Sequence, residues 1–322
     1  MKIKPLVLLF SAIAFRQLNA QELPLILDKQ GAFEILSRTD YNGSDCGFTK
    51  AEVADNLKEI IALVSTMRKN PVLTDMKGFD GRARIYNIPC HDQGAYGIPS
   101  RISFEFASWY RKKDGAPARI LTEPPCWDIL INKQKPSTQW PFRAAEFSGE
   151  PNYFLVSEKE TIQPGIDLYD GEVYVLHNPD RPSYWLPVTV KEAFTKLIAH
   201  WKANPDKAAS AFMLKYIEAE YATVTAKDMD KPAHSGTEWT YSQIGTDINQ
   251  PPILRVNPEY WNKKLPRSAI QILYCRIVNN RPFLKSQTAE SLKSNSIGYN
   301  LNRFEESLDI NTVRSLVPLI RK

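Results

Sequence analysis

Two short segments contain the residue types best suited to catalysis, namely Cys-His-Asp at 90–92 and Cys-Trp-Asp at 126–128. A disulfide between Cys90 and Cys126 would hold their Cα atoms within about 7 Å of each other. A histidine and several carboxylates would then lie together, and a histidine beside a carboxylate can act as a general base. The candidate catalytic residues are therefore His91, Asp92 and Asp128, and Glu105 is added as a further acid/base candidate.

The same two segments also have a purely structural interpretation. Prolines flank them at positions 89, 124 and 125, which is typical of loops, and structural disulfides are common in exported chains. On this interpretation the disulfide stabilises a loop-rich region, and the polar residues beside it have no catalytic role.

The cysteine complement leaves the pairing open. An even number of cysteines in an exported chain is compatible with up to two disulfides in three full pairings, or with buried free thiols. The wide spacing does not match a zinc ribbon, and the four histidines are too dispersed along the chain to predict a closed metal site. We predict no metal and no cofactor. The candidate disulfide cysteines are Cys46, Cys90, Cys126 and Cys275.

Aromatic residues offer a second kind of site. Exposed tryptophans provide flat surfaces on which sugar rings stack, and Trp109, Trp127 and Trp185 are the candidates for such a role. The alternative is ordinary packing, because large aromatic side chains contribute much of the buried area in a core.

The common catalytic signatures are absent from the sequence. It contains no G-x-x-x-x-G-K-[ST] phosphate loop, no dinucleotide-binding G-x-G-x-x-G after a strand, no G-x-S-x-G nucleophile elbow and no H-E-x-x-H zinc helix. These absences disfavour nucleotide-binding enzymes and the best-known hydrolase classes.

The first twenty residues predict export. Lys2 and Lys4 precede an apolar stretch at 6–15, and the polar segment that follows ends in the small residue Ala20, which is the layout of a cleavable secretory signal. We expect cleavage after Ala20 and a secreted or periplasmic mature chain. The apolar stretch is about half the roughly 20 residues that a membrane-spanning helix needs, and no later stretch is long enough, so we expect no membrane span after cleavage.

The charge of the mature chain argues against nucleic-acid binding. Loss of residues 1–20 removes three basic residues and no acidic residue, which lowers the net charge from +5 to +2. Nucleic-acid-binding proteins present clustered Lys and Arg, whereas the basic residues of this chain are scattered. The expected partner is instead an envelope or extracellular ligand.

Two amphipathic helices are predicted, at 49–70 and 189–204. Each begins with the S/T-x-x-E capping box, Thr49 with Glu52 and Thr189 with Glu192, and each is followed by a proline. Apolar residues recur at three- and four-residue steps in both, including Ile60, Ile61 and Val64 in the first helix. Pro205 is expected to open a further helix over 208–221, which predicts an αα-hairpin near 189–224.

Short strands joined by tight turns are predicted between the helices. Asp114-Gly115 and Asp170-Gly171 are hairpin signals, and strands are expected near 102–110, 118–121, 166–169, 172–177, 184–188, 253–256 and 269–278. Consecutive hairpins imply an antiparallel sheet. The chain is therefore assigned to the α+β class, with amphipathic helices packed on a largely antiparallel sheet.

The polar, turn-rich stretch at 226–252 is the best candidate for a boundary. It would separate a main lobe at 21–225 from a carboxyl-terminal lobe at 253–322, unless the two pack as one domain. The leading functional hypothesis is a non-enzymatic exported binding or structural protein with its site in the loops of the sheet. The alternative is a cell-envelope hydrolase acting on glycans or peptides, with the four catalytic candidates as its acids and bases.

Overall fold

A computed structural model describes residues 24–38, 46–87, 96–120, 124–135, 145–156, 158–236, 240–277 and 298–320. The predicted signal peptide at 1–20 lies outside these ranges, as do Cys90, His91 and Asp92. Within the described ranges the chain combines helices with mostly antiparallel strands, so the predicted α+β class is confirmed.

The strands belong to two main sheets and one small one. Nine strands form the large sheet in the order β1-β2-β3-β5-β15-β10-β9-β8, with β4 beside β3, and a second sheet has the order β11-β14-β7-β6. All adjacent pairs are antiparallel except β1 with β2. The strands are β1 (Phe33–Arg38), β2 (Phe79–Asn87), β3 (Ser100–Arg111), β4 (Pro117–Arg119), β5 (Cys126–Ile131), β6 (Ala145–Phe147), β7 (Glu150–Leu155), β8 (Lys159–Gln163), β9 (Ile166–Tyr169), β10 (Val173–His177), β11 (Trp185–Pro187), β12 (His234–Ser235), β13 (Ile244–Gly245), β14 (Ile253–Val256) and β15 (Ile272–Arg276).

Both predicted hairpins form. β9 and β10 are joined by Asp170 and Gly171 with φ of 55° and 65°, the left-handed pair that a type I′ turn requires. β3 and β4 are joined through Gly115, whose φ is 81°. The strand predicted at 184–188 differs, because β11 pairs with β14 in the second sheet and not with the preceding strand of the large sheet.

Both helices that the sequence predicts, at 49–70 and 189–204, are present as α1 and α3. α3 and α4 form the expected αα-hairpin, but α4 begins after Asp206, whose carboxylate accepts hydrogen bonds from the backbone N–H groups of Ala208 and Ala209. Pro205 thus precedes the helix and does not open it. The helices are α1 (Lys50–Met67), α2 (Pro71–Thr74), α3 (Val190–Ala203), α4 (Lys207–Thr223), α5 (Ala226–Met229), α6 (Tyr299–Ser307) and α7 (Ile310–Leu316).

The two helix starts differ from each other. Thr49 and Glu52 form a complete capping box at α1. At α3 the Thr189 hydroxyl accepts from the Glu192 backbone N–H at 3.1 Å, but the Glu192 carboxylate bonds instead to the Tyr153 hydroxyl at 2.9 Å and to Arg255 at 3.1 Å. The second half of that box serves to join α3 to the second sheet.

One face of the large sheet carries the main core. Helices α1, α2, α6 and α7 cover it, with Phe104, Trp127 and Phe304 in ring contact at its centre. The buried face of α1 differs slightly from the predicted apolar face. Ile61, which the sequence places on that face, is 38% exposed, whereas Leu63 is fully buried.

Strands from the end of the chain complete both sheets. β15 lies between β5 and β10, and β14 lies between β11 and β7. Residues after 252 therefore share both sheets with residues before 225. The polar stretch between them contains α5 and the small β12–β13 sheet. Among the described residues, no helix has the length and apolarity needed to cross a bilayer.

Candidate functional site

A cleft of about 500 Å³ opens where the edge of the large sheet meets the second sheet. This volume lies within the range of small-molecule sites. β8 and β9 contribute Lys159 and Tyr169, the second sheet contributes Trp185 and Leu254, and the loop before β14 contributes residues 248–252. The lining residues are Val156, Glu158, Lys159, Tyr169, Ser183, Tyr184, Trp185, Ile248, Asn249, Gln250, Pro251, Pro252 and Leu254.

The cleft is apolar and aromatic at its base and polar at its rim. Val156, Tyr169, Tyr184 and Trp185 are buried. The polar members are exposed, namely Glu158, Lys159, Ser183, Asn249 and Gln250. An apolar base with a few polar groups above it is the usual composition of a ligand site.

A buried carboxylate, Asp167, organises the wall of the cleft. Its Oδ1 accepts a hydrogen bond from the Thr161 hydroxyl at 2.8 Å. Its Oδ2 accepts from the Tyr184 hydroxyl at 2.6 Å, and lies 2.9 Å from the Lys159 ammonium and 3.2 Å from Nε2 of His177. Asp167 is only 2% exposed, so these neighbours replace the solvent that the carboxylate has lost.

The strand register explains why these groups meet. Alternate residues of β9 point to opposite faces, so Ile166 and Leu168 enter the main core while Asp167 and Tyr169 face the second sheet. Thr161 lies opposite Asp167 across the β8–β9 pair. The remaining contacts come from the ends of neighbouring strands and from Tyr184 just before β11.

The two tyrosines form a directed chain. The single hydroxyl proton of Tyr184 is donated to Asp167, so in the 2.8 Å contact between the hydroxyls Tyr169 is the donor and Tyr184 the acceptor. Burial raises the pKa of both tyrosines. They therefore stay protonated at physiological pH.

Opposing effects act on the pKa of Asp167. Burial alone would raise the pKa of Asp167, but hydrogen bonds from His177, Tyr184, Lys159 and Thr161 outweigh it and hold the pKa well below its ordinary range. The carboxylate is therefore ionised at physiological pH.

A buried glutamine holds the aromatic base in place. Nε2 of Gln134 donates to the Tyr184 backbone carbonyl at 2.8 Å, and the backbone carbonyl of Gln134 accepts from Nε1 of Trp185 at 2.7 Å. Nε1 of Trp261 donates to Oε1 of Gln134 at 2.9 Å. These bonds satisfy the polar atoms of the ring cluster and fix the two residues that line the cleft.

The loop before β14, which contributes residues 248–252 to the cleft, is also held in place by hydrogen bonds. The Asp247 carboxylate accepts from the backbone N–H and the side-chain amide of Asn249, at 3.0 and 2.9 Å. Nδ1 of His234 lies 2.8 Å from the Gln250 carbonyl oxygen. Ile248 projects from this loop and is 81% exposed, so a large apolar side chain stands at the mouth of the cleft.

Two of the predicted catalytic residues lie together at a different place. Glu105 on β3 and Asp128 on β5 are on adjacent strands and on the same face of the large sheet. Each is bound by an arginine: Arg84 holds Glu105 with contacts of 2.6 and 3.0 Å, and Arg101 contacts Asp128 at 2.5 Å. Neither carboxylate lines the cleft. The other two candidates, His91 and Asp92, lie outside the described residues.

The proposed Cys90–Cys126 bridge is wrong. Cys126 and Cys275 carry free thiols, and Cys46 is not a free thiol. Burial raises the pKa of the Cys126 thiol, although a hydrogen bond involving Ser103 opposes this effect. Cys126 lies opposite Glu105 in the β3–β5 pair, inside a regular sheet and not in a loop-rich region.

The three predicted stacking tryptophans have different surroundings. Trp127 is 1% exposed in the main core, where its Nε1 donates to the Arg276 carbonyl. Trp109 carries two cations over its ring, Lys29 at 4.3 Å and Arg119 at 5.4 Å. Trp185 lines the cleft but is only 4% exposed. Of the three, Trp185 is the one that lines the cleft described above.

Sequence reasoning missed the Asp167 cluster. One signal was present, because Asp167 is an acid within a strand whose other residues are apolar or aromatic, and a buried acid needs partners. Nothing in the sequence indicates which donors would supply them. Among the residues that the structure describes, no group of three or more His, Cys, Asp or Glu side chains is arranged to hold a metal ion.

Comparisons of the chain with protein families, with curated proteins and with solved structures find no match. The geometry of the cleft is therefore the basis on which a function can be assigned.

Proposed function

We propose that this chain is an exported protein that binds a small ligand in the cleft between its two sheets and does not transform it. The observation that carries this proposal is the geometry of the cleft, in which buried aromatic side chains form the base and exposed polar side chains form the rim. The buried groups of its wall are also held in one protonation state, because the pKa of Asp167 is held below its ordinary value and the pKa values of Tyr169 and Tyr184 are raised above theirs. A general acid or base works best with a pKa near the ambient pH, so these groups suit binding better than proton transfer.

The hydrolase alternative has less support. A glycosidase needs two carboxylates that face a substrate, one as acid and one as base or nucleophile. Glu105 and Asp128 are 7% and 1% exposed, and each already pairs with an arginine. A buried carboxylate that is held by an arginine has no open approach for a substrate.

Binding is tested by filling the cleft. The variant Ser183→Trp places a large ring at the rim, and Ser315→Trp on α7 is the matched control, because Ser315 is exposed on a helix that packs on the other face of the large sheet. Melting temperatures are measured with neutral sugars, amino acids, short peptides, carboxylic acids and amines. A ligand at about 100 times its Kd stabilises the folded state by about 2.7 kcal/mol.

We expect at least one class to raise the melting temperature of the wild type and of Ser315→Trp but not of Ser183→Trp. The bound compound should be recovered unchanged after a day, as judged by NMR. If no class acts through the cleft, the binding role is wrong. If the compound is consumed, the non-catalytic role is wrong.

Export is tested separately. The full chain is expressed in a bacterial host, the periplasmic fraction and the medium are collected, and the protein is sequenced from its amino terminus. We expect the mature chain to begin at Gln21, because Ala20 supplies the small residue before the cleavage point. An intact Met1 terminus on a cytoplasmic protein would contradict this.

A further inference from the structure

We infer that the ligand of this cleft is a neutral sugar, a ring that carries several hydroxyl groups and no net charge. This inference rests on the proposed function, and it follows from the charge, the hydrogen-bonding groups and the apolar surface that the cleft presents.

The charges that line the cleft disfavour an anionic ligand. Glu158 and Lys159 are its two charged lining residues, with opposite signs. The Lys159 ammonium is further neutralised by Asp167 at 2.9 Å, so an anionic ligand would have to compete with a buried carboxylate that is already in place. A free acid would also meet the unneutralised carboxylate of Glu158.

A cationic ligand fits no better. Aromatic faces attract cations, but the ammonium of Lys159 already lies 5.7 Å from the centre of the Tyr184 ring. Glu158 is on the exposed rim, where solvent and salt weaken the attraction of an ion pair. The ammonium of Lys159 thus already occupies the position beside the Tyr184 ring where a cationic ligand would bind.

The rim offers both donors and acceptors. Lys159 donates, Glu158 accepts, and Ser183 and Gln250 can each do both. Asn249 is held by its bond to Asp247, which fixes the orientation of its amide. A hydroxyl group also donates and accepts, so a ring with several hydroxyls can pair with this mixed set without leaving a buried polar group unmatched.

The remaining walls suit the C–H faces of a sugar ring. Pro251, Pro252 and Leu254 add apolar surface to the lining, and Trp185 contributes to the base. A ligand with an apolar face and a polar perimeter uses both surfaces, whereas a purely apolar ligand would leave the rim groups without partners.

The experiment uses three matched hexoses that differ in charge. N-acetylglucosamine is neutral, glucosamine is cationic and glucuronate is anionic, and a panel of neutral hexoses and disaccharides extends the first arm. Affinity is measured by calorimetry for the wild type, Ser183→Trp, Glu158→Gln and Gln250→Ala. Amino acids and dipeptides are included because a zwitterion could use Glu158 and Lys159 together.

We expect a neutral sugar to bind the wild type and not Ser183→Trp. Its Kd should change by about twofold or less between roughly 50 and 500 mM salt, and by about threefold or less in Glu158→Gln, where the hydrogen-bonding shape is kept. Gln250→Ala should weaken binding by about five- to tenfold through the loss of a hydrogen bond.

Three results would overturn the inference. Preference for glucosamine, with a loss of about tenfold or more in Glu158→Gln, would identify a cation site. Preference for glucuronate, or for an amino acid or dipeptide, would identify a charged or zwitterionic ligand. In each of these cases the binding role survives if Ser183→Trp abolishes the signal. If no probe of any class binds, the proposed function fails, and the sugar inference fails with it.

Discussion

Tyr184 donates its hydroxyl proton to Asp167 across 2.6 Å while both residues are at most 2% exposed. The bond joins a residue of the large sheet to one that leads into β11 of the second sheet. It therefore links the two sheets at the wall of the cleft, through a charged acceptor in a place from which water is excluded.

Removal of this bond should destabilise the fold measurably. We expect Tyr184→Phe to lower the free energy of unfolding by about 1.5–3 kcal/mol through loss of the bond to the charged carboxylate, in addition to the loss of the bond that Tyr184 accepts from Tyr169. Tyr169→Phe is the matched comparison, and it removes a bond between two neutral hydroxyls, worth about 0.5–1.5 kcal/mol. Urea unfolding followed by tryptophan fluorescence measures both. Equal losses in the two variants would show that the charge of Asp167 does not strengthen the bond.

The charge of Asp167 should stabilise the protein only above acidic pH. Its pKa in the folded protein is held below the ordinary value, so its contribution is present above the unfolded pKa of about 3.9 and is lost as the pH falls below that value. We expect Asp167→Asn to be less stable than the wild type by about 2 kcal/mol at pH 7 and 5, with the gap closing between pH 4 and 2. A gap that does not change with pH would contradict this account.

Glu305 on α6 should have the opposite pH dependence. Burial, together with the nearby Glu172, raises the pKa of Glu305 to about 7, although Arg276 opposes the shift. The stability that a protonated Glu305 provides is complete below about pH 4.5 and is lost as the pH rises through about 7. We therefore expect Glu305→Gln to be more stable than the wild type by about 2 kcal/mol at pH 8 and equal to it at pH 4.

The control for this prediction is Glu306→Gln, because Glu306 is exposed on the same helix. Guanidinium unfolding at the two pH values should leave Glu306→Gln indistinguishable from the wild type. A stabilisation shared by both variants at pH 8 would point to the net charge of the protein and not to the surroundings of Glu305.

The two free thiols should react at different rates. Cys126 is partly buried, whereas Cys275 is 1% exposed and burial raises its pKa to about 12. The thiolate is the reactive form, so iodoacetamide at pH 7.5 should label Cys126 slowly in the native protein and Cys275 only after denaturation. Peptide mass spectrometry separates the two sites. Rapid labelling of Cys275 in the native state would mean that the centre of the sheet opens readily.

The parts of the fold that could be predicted are those set by neighbours along the chain. The Asp170-Gly171 turn requires two residues with positive φ, and the sequence places the residue types that tolerate it between two apolar runs. The residues of β14 are likewise those that the sequence predicts. Such features depend on a few consecutive residues, so they can be recognised without the rest of the protein.

The site could not be predicted because its parts meet through tertiary contacts. Asp167 finds donors on β8, on β10 and in the segment before β11, and no local pattern says that β11 joins the second sheet. The grouping through Cys90 and Cys126 failed for the same reason, since it assumed a long-range bridge. Trp127 shows the limit for aromatic residues, because residue type alone does not distinguish a core ring from a binding surface.

The position of β15 has a consequence for how the protein is made. This strand is formed by residues 272–276, yet it lies between β5 at 126–131 and β10 at 173–177. During synthesis, the middle of the large sheet cannot form until nearly the whole chain has left the ribosome. Until then β5 and β10 each keep an unpaired edge, which can pair with other extended chains. A sheet closed by such distant residues also forms slowly. A nascent chain of this protein thus cannot complete its large sheet until residues 272–276 have been made, which leaves the earlier strands open to capture by chaperones.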